Sequence, residues 1–108
     1  MEIKEERTGR FYILSITGRL DASTSNIFEE KLISLLDSGE TQILINFSEL
    51  EYISSSGLRV LLVGAKKLKT TNQKISLCNL RSHIYEVFEI AGFTPIFNIF
   101  KTLQEALS

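Results

Sequence analysis

The stretch ILINFSELEYISSSGLRVLLV, residues 43–63, decides the fold of this chain. It begins with β-branched and other apolar residues that favour a strand, and it ends with apolar residues at the spacing of a helix. Ser54, Ser55 and Ser56 lie between the two, where the backbone N–H groups of a helix N-terminus lack intrahelical partners. The stretch therefore predicts a strand, a short loop and a helix, which together form half of a βα unit.

The rest of the chain predicts strands and helices in alternation after an initial hairpin. We expect strands at 2–7, 11–17, 42–47, 74–79 and 96–98. We expect helices at about 23–38, 57–71, 82–91 and 102–107. Gly18 is expected to end the second strand, and Ser82 to cap the third helix. This order predicts an α/β fold with a mixed sheet of four to five strands and about four helices, in a single domain spanning 1–108.

Composition and charge exclude several classes of function. The chain has 108 residues and a net charge of −1, which gives no basic surface for nucleic acid. No run of 18 or more apolar residues is present, so we expect no contact with a membrane core. The first residues, 1–6, are mostly charged and lack the apolar region of a signal peptide. Together with a single cysteine, these features predict a cytoplasmic protein.

Candidate catalytic and metal-binding residues are scarce. The only histidine, His83, lies beside Ser82 at the start of an expected helix, where a surface or capping role fits better than catalysis. Cys78 lies in an apolar strand and fits a small buried residue. One histidine and one cysteine give no metal cluster, and six scattered glycines give no phosphate-binding loop. We therefore expect no enzyme activity, no metal and no cofactor.

Four motifs, in order along almost the whole chain, resemble one known family. They are GRLDA at 18–22, NFSEL at 46–50, YISSSGL at 52–58 and FTPIFNIF at 93–100. The chain is similar to STAS domains of the anti-sigma factor antagonist type, which are bacterial regulators of transcription. The resemblance implies the STAS fold and a partner-switching function. In that family an anti-sigma factor that is itself a serine kinase phosphorylates a loop serine of the antagonist, which abolishes binding, and a metal-dependent serine phosphatase restores it.

The resemblance assigns roles to individual positions of the serine motif. Ser55 matches the phosphorylated serine, Ser56 the serine or threonine that usually follows it, and Gly57 the glycine of the family. Two residues depart from the family pattern, because Ser54 stands where an aspartate is common and Arg59 stands where small residues are frequent. Ser54 is therefore a second candidate for phosphorylation. The alternative is that the serines only cap the helix, since serine is a preferred N-cap residue.

A partner-binding face is expected around these serines. It would comprise Asp21, Ser23, Thr24, Ser54, Ser55, Ser56, Gly57, Arg59, Val60 and Gly64. Arg59 lies one helical turn beyond Ser55 and could reach a phosphate there, or it could be a solvated surface residue. Val60 and Gly64 could join the face or be buried against a neighbouring helix.

The loop that follows the second strand is expected to lie at the same end of the sheet as the serines. Its polar residues, Asp21, Ser23 and Thr24, could extend the partner-binding face, or they could serve only turn formation and capping. Two other functions stay open beside the phosphorylated switch. One is a scaffold that is never phosphorylated, and the other is a module that senses a small ligand such as a nucleotide or a lipid.

Overall fold

Five strands and four α-helices make up the fold, and the computed structural model describes all residues from 1 to 108. The strands are β1 (Glu2–Thr8), β2 (Phe11–Leu20), β3 (Ile43–Ile53), β4 (Ser76–Cys78) and β5 (Asn98–Phe100). The helices are α1 (Ser25–Asp37), α2 (Ser55–Lys69), α3 (Ser82–Ile90) and α4 (Leu103–Leu107), and Thr94–Ile96 forms one turn of 3₁₀ helix.

The strands form one mixed sheet in the order β1-β2-β3-β4-β5. β1 pairs with β2 antiparallel through the tight turn at Gly9, whose φ of +60° suits a glycine. The other neighbours, β2 to β5, pair parallel, each joined by a helical connection. The predicted α/β fold with a mixed sheet and four helices is confirmed.

The sheet carries apolar side chains on both faces. Ile43 and Ile45 belong to the larger core with residues of α1, α2 and α3, whereas Leu44 belongs to a smaller core with Ala106 of α4. All three strand residues are fully buried. β3 is therefore the central, doubly covered strand that its continuous apolar run predicts.

Strand and helix boundaries differ from the prediction around the site of interest. β2 continues through Gly18 to Leu20 instead of ending there. The register between β2 and β3 shifts at Gly18, and this irregularity lets the glycine remain in the strand. β3 continues to Ile53, and α2 begins at Ser55 rather than near Gly57. The loop between β3 and α2 is therefore the single residue Ser54.

Other boundaries also shift, and β4 covers only 76–78 of the predicted 74–79. Ser82 is the first residue of α3 rather than its cap. Arg81 occupies the N-cap position, and its side chain makes no capping hydrogen bond. Pro95 lies in the 3₁₀ turn Thr94–Ile96, and this turn moves the last strand from 96–98 to 98–100. Thr102 caps α4, since its Oγ1 accepts a hydrogen bond from the Glu105 N–H at 3.0 Å.

The single cysteine lies in the smaller core. Cys78 is fully buried on β4, and burial raises the pKa of its thiol to about 11. The thiol is therefore protonated at neutral pH and is chemically inert. None of the helices has the length and hydropathy required to cross a bilayer.

Candidate functional site

Two short turns meet at the carboxyl ends of β2 and β3. We call residues Asp21–Thr24 the aspartate turn and residues Ser54–Gly57 the serine turn. Leu20 and Ile53 are paired as the last residues of their parallel strands, and the Ser54 N–H donates a hydrogen bond to the Leu20 carbonyl at 2.9 Å. The expectation that both turns lie at the same end of the sheet is confirmed.

Ser54 is the N-cap of α2. Its backbone is extended (φ −98°, ψ 174°), and its Oγ accepts a hydrogen bond from the Gly57 N–H at 3.3 Å. Aspartate, the residue common at this position in the family that the sequence resembles, is also a preferred N-cap. The replacement by Ser54 thus removes a negative charge from the turn but keeps the cap.

Ser55 and Ser56 occupy the first two positions of α2. Ser55 is exposed and Ser56 is half-buried, and neither hydroxyl forms a hydrogen bond within the chain. The backbone N–H groups at these positions of a helix have no intrahelical acceptor, and the positive end of the helix dipole adds to their attraction for an anion. Ser55 therefore offers a free hydroxyl at a place that tolerates negative charge.

Gly57 packs inside the domain rather than on its surface. A Cβ atom at this position would lie 2.8 Å from Leu20 Cγ and 2.9 Å from Ile53 Cγ1, closer than carbon atoms approach. A side chain is therefore excluded by the ends of β2 and β3. The prediction that Gly57 forms part of an exposed binding face is wrong, because the residue is buried against the ends of β2 and β3.

The aspartate turn is closed by its own hydrogen bonds. Asp21 Oδ1 accepts hydrogen bonds from the Ser23 hydroxyl at 2.7 Å and the Ser23 N–H at 3.0 Å. These bonds lower the pKa of the Asp21 carboxyl, and the bond from the Ser23 hydroxyl has the largest effect. The Thr24 hydroxyl donates to the Arg19 carbonyl at 2.8 Å and accepts from the Asp21 N–H at 3.0 Å. The turn-forming role expected as an alternative for these residues is therefore present.

α1 begins directly after the aspartate turn and contributes a buried serine. Ser25 is 2% exposed, and its Oγ donates a hydrogen bond to the Asp21 carbonyl at 2.6 Å. Thr24 occupies the N-cap position of α1, but its side chain makes no capping bond there.

The outer face of α2 carries Arg59 but neither of the two small residues assigned to it. Arg59 is exposed, and its guanidinium forms an ion pair with Glu29 of α1, with 3.3 Å between Nη2 and Oε1. Val60 is fully buried in the core. A Cβ atom at Gly64 would lie 2.7 Å from Leu32 Cδ2, because α1 packs closely against α2 there. Val60 and Gly64 therefore do not lie on an exposed partner-binding face, and the alternative expected for them, burial against neighbouring elements, is the one that the structure shows.

An exposed pair, Arg19 and Tyr52, joins the two turns and was missed from the sequence. The guanidinium carbon of Arg19 lies 4.2 Å from the centre of the Tyr52 ring, and Arg19 Nε lies 3.5 Å from Asp21 Oδ2. A signal for this pair exists in the sequence. Arg19 and Tyr52 each precede their turn by the same number of residues, so parallel strands that end together bring them side by side.

The serine turn lies on open surface. Four surface clefts of about 350–450 Å³ lie elsewhere on the molecule, and none of them is lined by Ser54, Ser55 or Ser56. His83, the only histidine, is bonded through Nε2 to the Glu51 carbonyl at 2.8 Å. An open surface with free hydroxyls suits contact with another protein better than capture of a small molecule.

Comparison with known proteins gives concordant results. The family model of the STAS domain matches residues 2–106. BtrV of Bordetella bronchiseptica, which is named among the anti-sigma factor antagonists, is 33% identical over 106 residues that cover 98% of this chain and 91% of BtrV. A Thermotoga maritima structure described as an anti-sigma factor antagonist superposes with a TM-score of 0.91 at 20% identity, covering 97% of this chain and 91% of that one. The phosphorylated form of the Bacillus cell fate determinant SpoIIAA superposes with a TM-score of 0.79 at 24% identity, covering 98% of this chain and 96% of that one.

Proposed function

The chain belongs to the STAS domain family, and from this membership we propose that it is an anti-sigma factor antagonist in a partner-switching pathway. Its unphosphorylated form binds an anti-sigma factor serine kinase through the serine turn and the neighbouring aspartate turn. Phosphorylation of Ser55 by that kinase abolishes the binding. A metal-dependent serine phosphatase in the bacterial cytoplasm returns the protein to its binding form.

One observation carries the proposal. Ser55 stands exposed at the first position of α2 with a free hydroxyl, while the adjacent Ser54 already serves as the cap. Phosphorylation of Ser55 would therefore leave the capping bond intact. Phosphorylation of Ser54 would modify the hydroxyl that caps the helix, so Ser55 is the better acceptor of the two. The name of the relative BtrV, an anti-sigma factor antagonist, supports the antagonist role.

The switch acts through the electrostatics of the interface. A phosphate adds roughly −1.5 to −2 charges and three acceptor oxygens at neutral pH. At the N-terminus of α2 the helix dipole favours this charge by about 0.3–1 kcal/mol, so the fold of the antagonist changes little. Buried against a partner, the same charge must lose its water, and a penalty of about 3 kcal/mol weakens binding more than about a hundredfold.

Arg59 is proposed to take part in this switch. It lies one helical turn beyond Ser55, and its ion pair with Glu29 is exposed and therefore weak. A phosphate on Ser55 competes with Glu29 for the guanidinium. We expect Arg59→Ala to alter the stability or the partner release of the phosphorylated protein, and unchanged values of both would exclude this role.

Phosphopeptide mass spectrometry on the protein isolated from its own cells tests the proposal. Wild type is compared with Ser55→Ala, and Ser23→Ala serves as the matched control in the aspartate turn. We expect a phosphate on Ser55 that disappears only in Ser55→Ala. A phosphate on Ser54 instead would shift the switch by one residue. Absence of phosphate under all growth conditions would overturn the switch and favour a scaffold that is never phosphorylated.

A further inference from the structure

A second surface with distinct chemistry lies at the opposite end of α2. A cleft of about 360 Å³ opens between the last turns of α2, the segment that precedes β4 and the 3₁₀ turn. Its apolar lining includes Leu62, Ala65 and Ile96, and Gln73 and Pro95 line it as well. Three lysines, Lys66, Lys69 and Lys74, complete the lining, and we call this surface the lysine cleft.

The charge of the lysine cleft is uncompensated. Twelve lysines and arginines are present in the chain, and five of them form ion pairs with carboxylates, which leaves seven without such a partner. Three of these seven line this one cleft, and no acidic residue lines it with them. On a chain with a net charge of −1, this is a local concentration of positive charge.

The helix dipole explains only part of this arrangement. Positive charge in the last turn of a helix is favourable, which accounts for Lys66 and Lys69. Lys74 lies outside the helix, and its ammonium is held at the cleft by a hydrogen bond to the Pro95 carbonyl at 2.9 Å. Nor does the dipole account for the apolar residues that line the cleft together with the three lysines. Apolar surface ringed by charge of one sign is the pattern of a binding site for an amphipathic partner.

We propose that the lysine cleft docks an acidic segment of a partner protein that carries one apolar side chain. The apolar side chain enters the cleft between Leu62 and Ile96, and flanking carboxylates pair with the three ammonium groups. Lysines are compact charges on flexible stems, which suits carboxylates presented by a mobile peptide better than a ligand of fixed planar geometry. This assignment follows from charge complementarity and does not depend on phosphorylation of Ser55.

The position of the lysine cleft allows it to act together with the serine turn. The helical rise of 1.5 Å per residue puts Lys66 and Lys69 about 17–21 Å along α2 from Ser55. A partner segment in the cleft therefore leaves the serine turn free. A partner that bound both surfaces would remain attached at the lysine cleft when its contact with the serine turn was broken. The attached partner would then be present at a high local concentration near the serine turn, which favours rebinding there.

Fluorescence anisotropy with a defined probe tests the proposal. The probe is a short fluorescein-labelled peptide of glutamates around a central leucine, and the full-length protein is titrated at low and at physiological salt. We expect the peptide to bind, and Lys66→Glu/Lys69→Glu to weaken binding at least about tenfold. Lys4→Glu/Lys101→Glu changes the net charge equally outside the cleft and should weaken binding less than about twofold. Lys66→Gln/Lys69→Gln provides a milder variant should charge reversal disturb the helix end.

Backbone amide shifts in NMR spectra locate the peptide. Shifts confined to residues 62–74 and 95–96 support the proposal. Equal loss of binding in both charge-reversal variants would overturn it, since the peptide would then respond only to overall charge. Binding to phosphatidylglycerol vesicles without binding to the peptide would also overturn it and assign the cleft to a lipid surface.

Discussion

Ser25 and Ser55 are the same residue type at the same position, the first residue of a helix that follows a parallel strand, yet their surroundings are opposite. Ser25 is 2% exposed and its hydroxyl is bonded to the Asp21 carbonyl. Ser55 is exposed and its hydroxyl has no partner in the chain. The hydroxyls of the aspartate turn form hydrogen bonds within the turn, whereas two of the three serine hydroxyls of the serine turn form no hydrogen bond.

The two turns are therefore stabilised in different ways. The aspartate turn depends on hydrogen bonds that converge on Asp21. The serine turn depends on one capping bond from Ser54 and on the close packing of Gly57 against Leu20 and Ile53. Because packing and capping suffice to hold the serine turn, Ser55 is free to carry a modification that the fold does not need.

The largest effect is expected from breaking the packing beneath the serine turn. Gly57→Ala places a methyl group within 3 Å of Leu20 Cγ and Ile53 Cγ1, neither of which is the free end of its side chain. We expect a loss of about 1–3 kcal/mol in the free energy of unfolding, measured by urea denaturation with circular dichroism. Ser56→Ala in the same turn is the control, with a change within about 0.5 kcal/mol. Equal stability of Gly57→Ala and wild type would show that packing does not hold this turn.

The comparison of the two serines is tested by the same substitution in both helices. Ser25→Ala removes a buried hydroxyl and its hydrogen bond to the Asp21 carbonyl, which keeps the backbone N–H donors of Thr24 and Ser25, and should cost about 1–1.5 kcal/mol. Ser55→Ala removes an exposed, unbonded hydroxyl and should change stability by less than about 0.5 kcal/mol. Both values come from urea midpoints of the pair measured side by side. A Ser55→Ala loss as large as that of Ser25→Ala would contradict the distinction drawn between the turns.

A smaller effect is expected at the cap. Ser54→Ala removes the acceptor for the Gly57 N–H and should destabilise the protein by about 1 kcal/mol. Ser54→Asp restores the residue common in the family and should retain the stability of wild type, since aspartate caps equally well. Thermal unfolding of the three proteins measures this order. If Ser54→Asp were as unstable as Ser54→Ala, the interpretation of Ser54 as a substitute cap would fail.

The smallest effect should appear in the pH dependence of the aspartate turn. Hydrogen bonds lower the pKa of Asp21 in the folded protein, so its contribution to stability is present above the pKa of the unfolded chain and is lost as the pH falls below about 4. Asp21→Asn cannot ionise, and the stability difference between it and wild type should shrink over that range. Urea midpoints at a series of pH values give the difference. A gap that stayed constant with pH would exclude ionised Asp21 as the acceptor that holds the turn.

The sequence predicted the element order, the central strand and the meeting of the two turns, because each follows from local periodicity and from parallel pairing. It did not predict the length of β3, since Ser48, Glu49 and Glu51 interrupt the apolar pattern of a strand. The structure shows why they remain in the strand. β3 stays paired with β2 as far as Ile53, and its Ser48 and Glu51 carbonyls are bonded by Arg81 and His83 at the start of α3, tertiary contacts that no local pattern reports.

In α2, too, local sequence patterns predict some features of the candidate site, and tertiary contacts decide the others. The placement of Ser54 and Ser55 at the start of a helix could be predicted from helix-start preferences, whereas their different hydrogen bonding could not, because it depends on the residue at which the helix begins. Val60 and Gly64 lie off the main apolar stripe, so the sequence leaves open whether they join a binding face or are buried. They are buried because α1 packs against a second side of α2, which places the helix between a sheet and a neighbour.

The burial of Cys78 also makes the domain a convenient subject for site-selective chemistry. Its thiol has a pKa raised to about 11 and no exposure to solvent, so alkylating reagents at neutral pH should leave it unmodified. In a Ser55→Cys variant the only reactive thiol would then stand at the first position of α2. A negatively charged alkylating reagent could place stable charge there without a kinase, and a neutral reagent of similar size would separate the effect of charge from that of bulk.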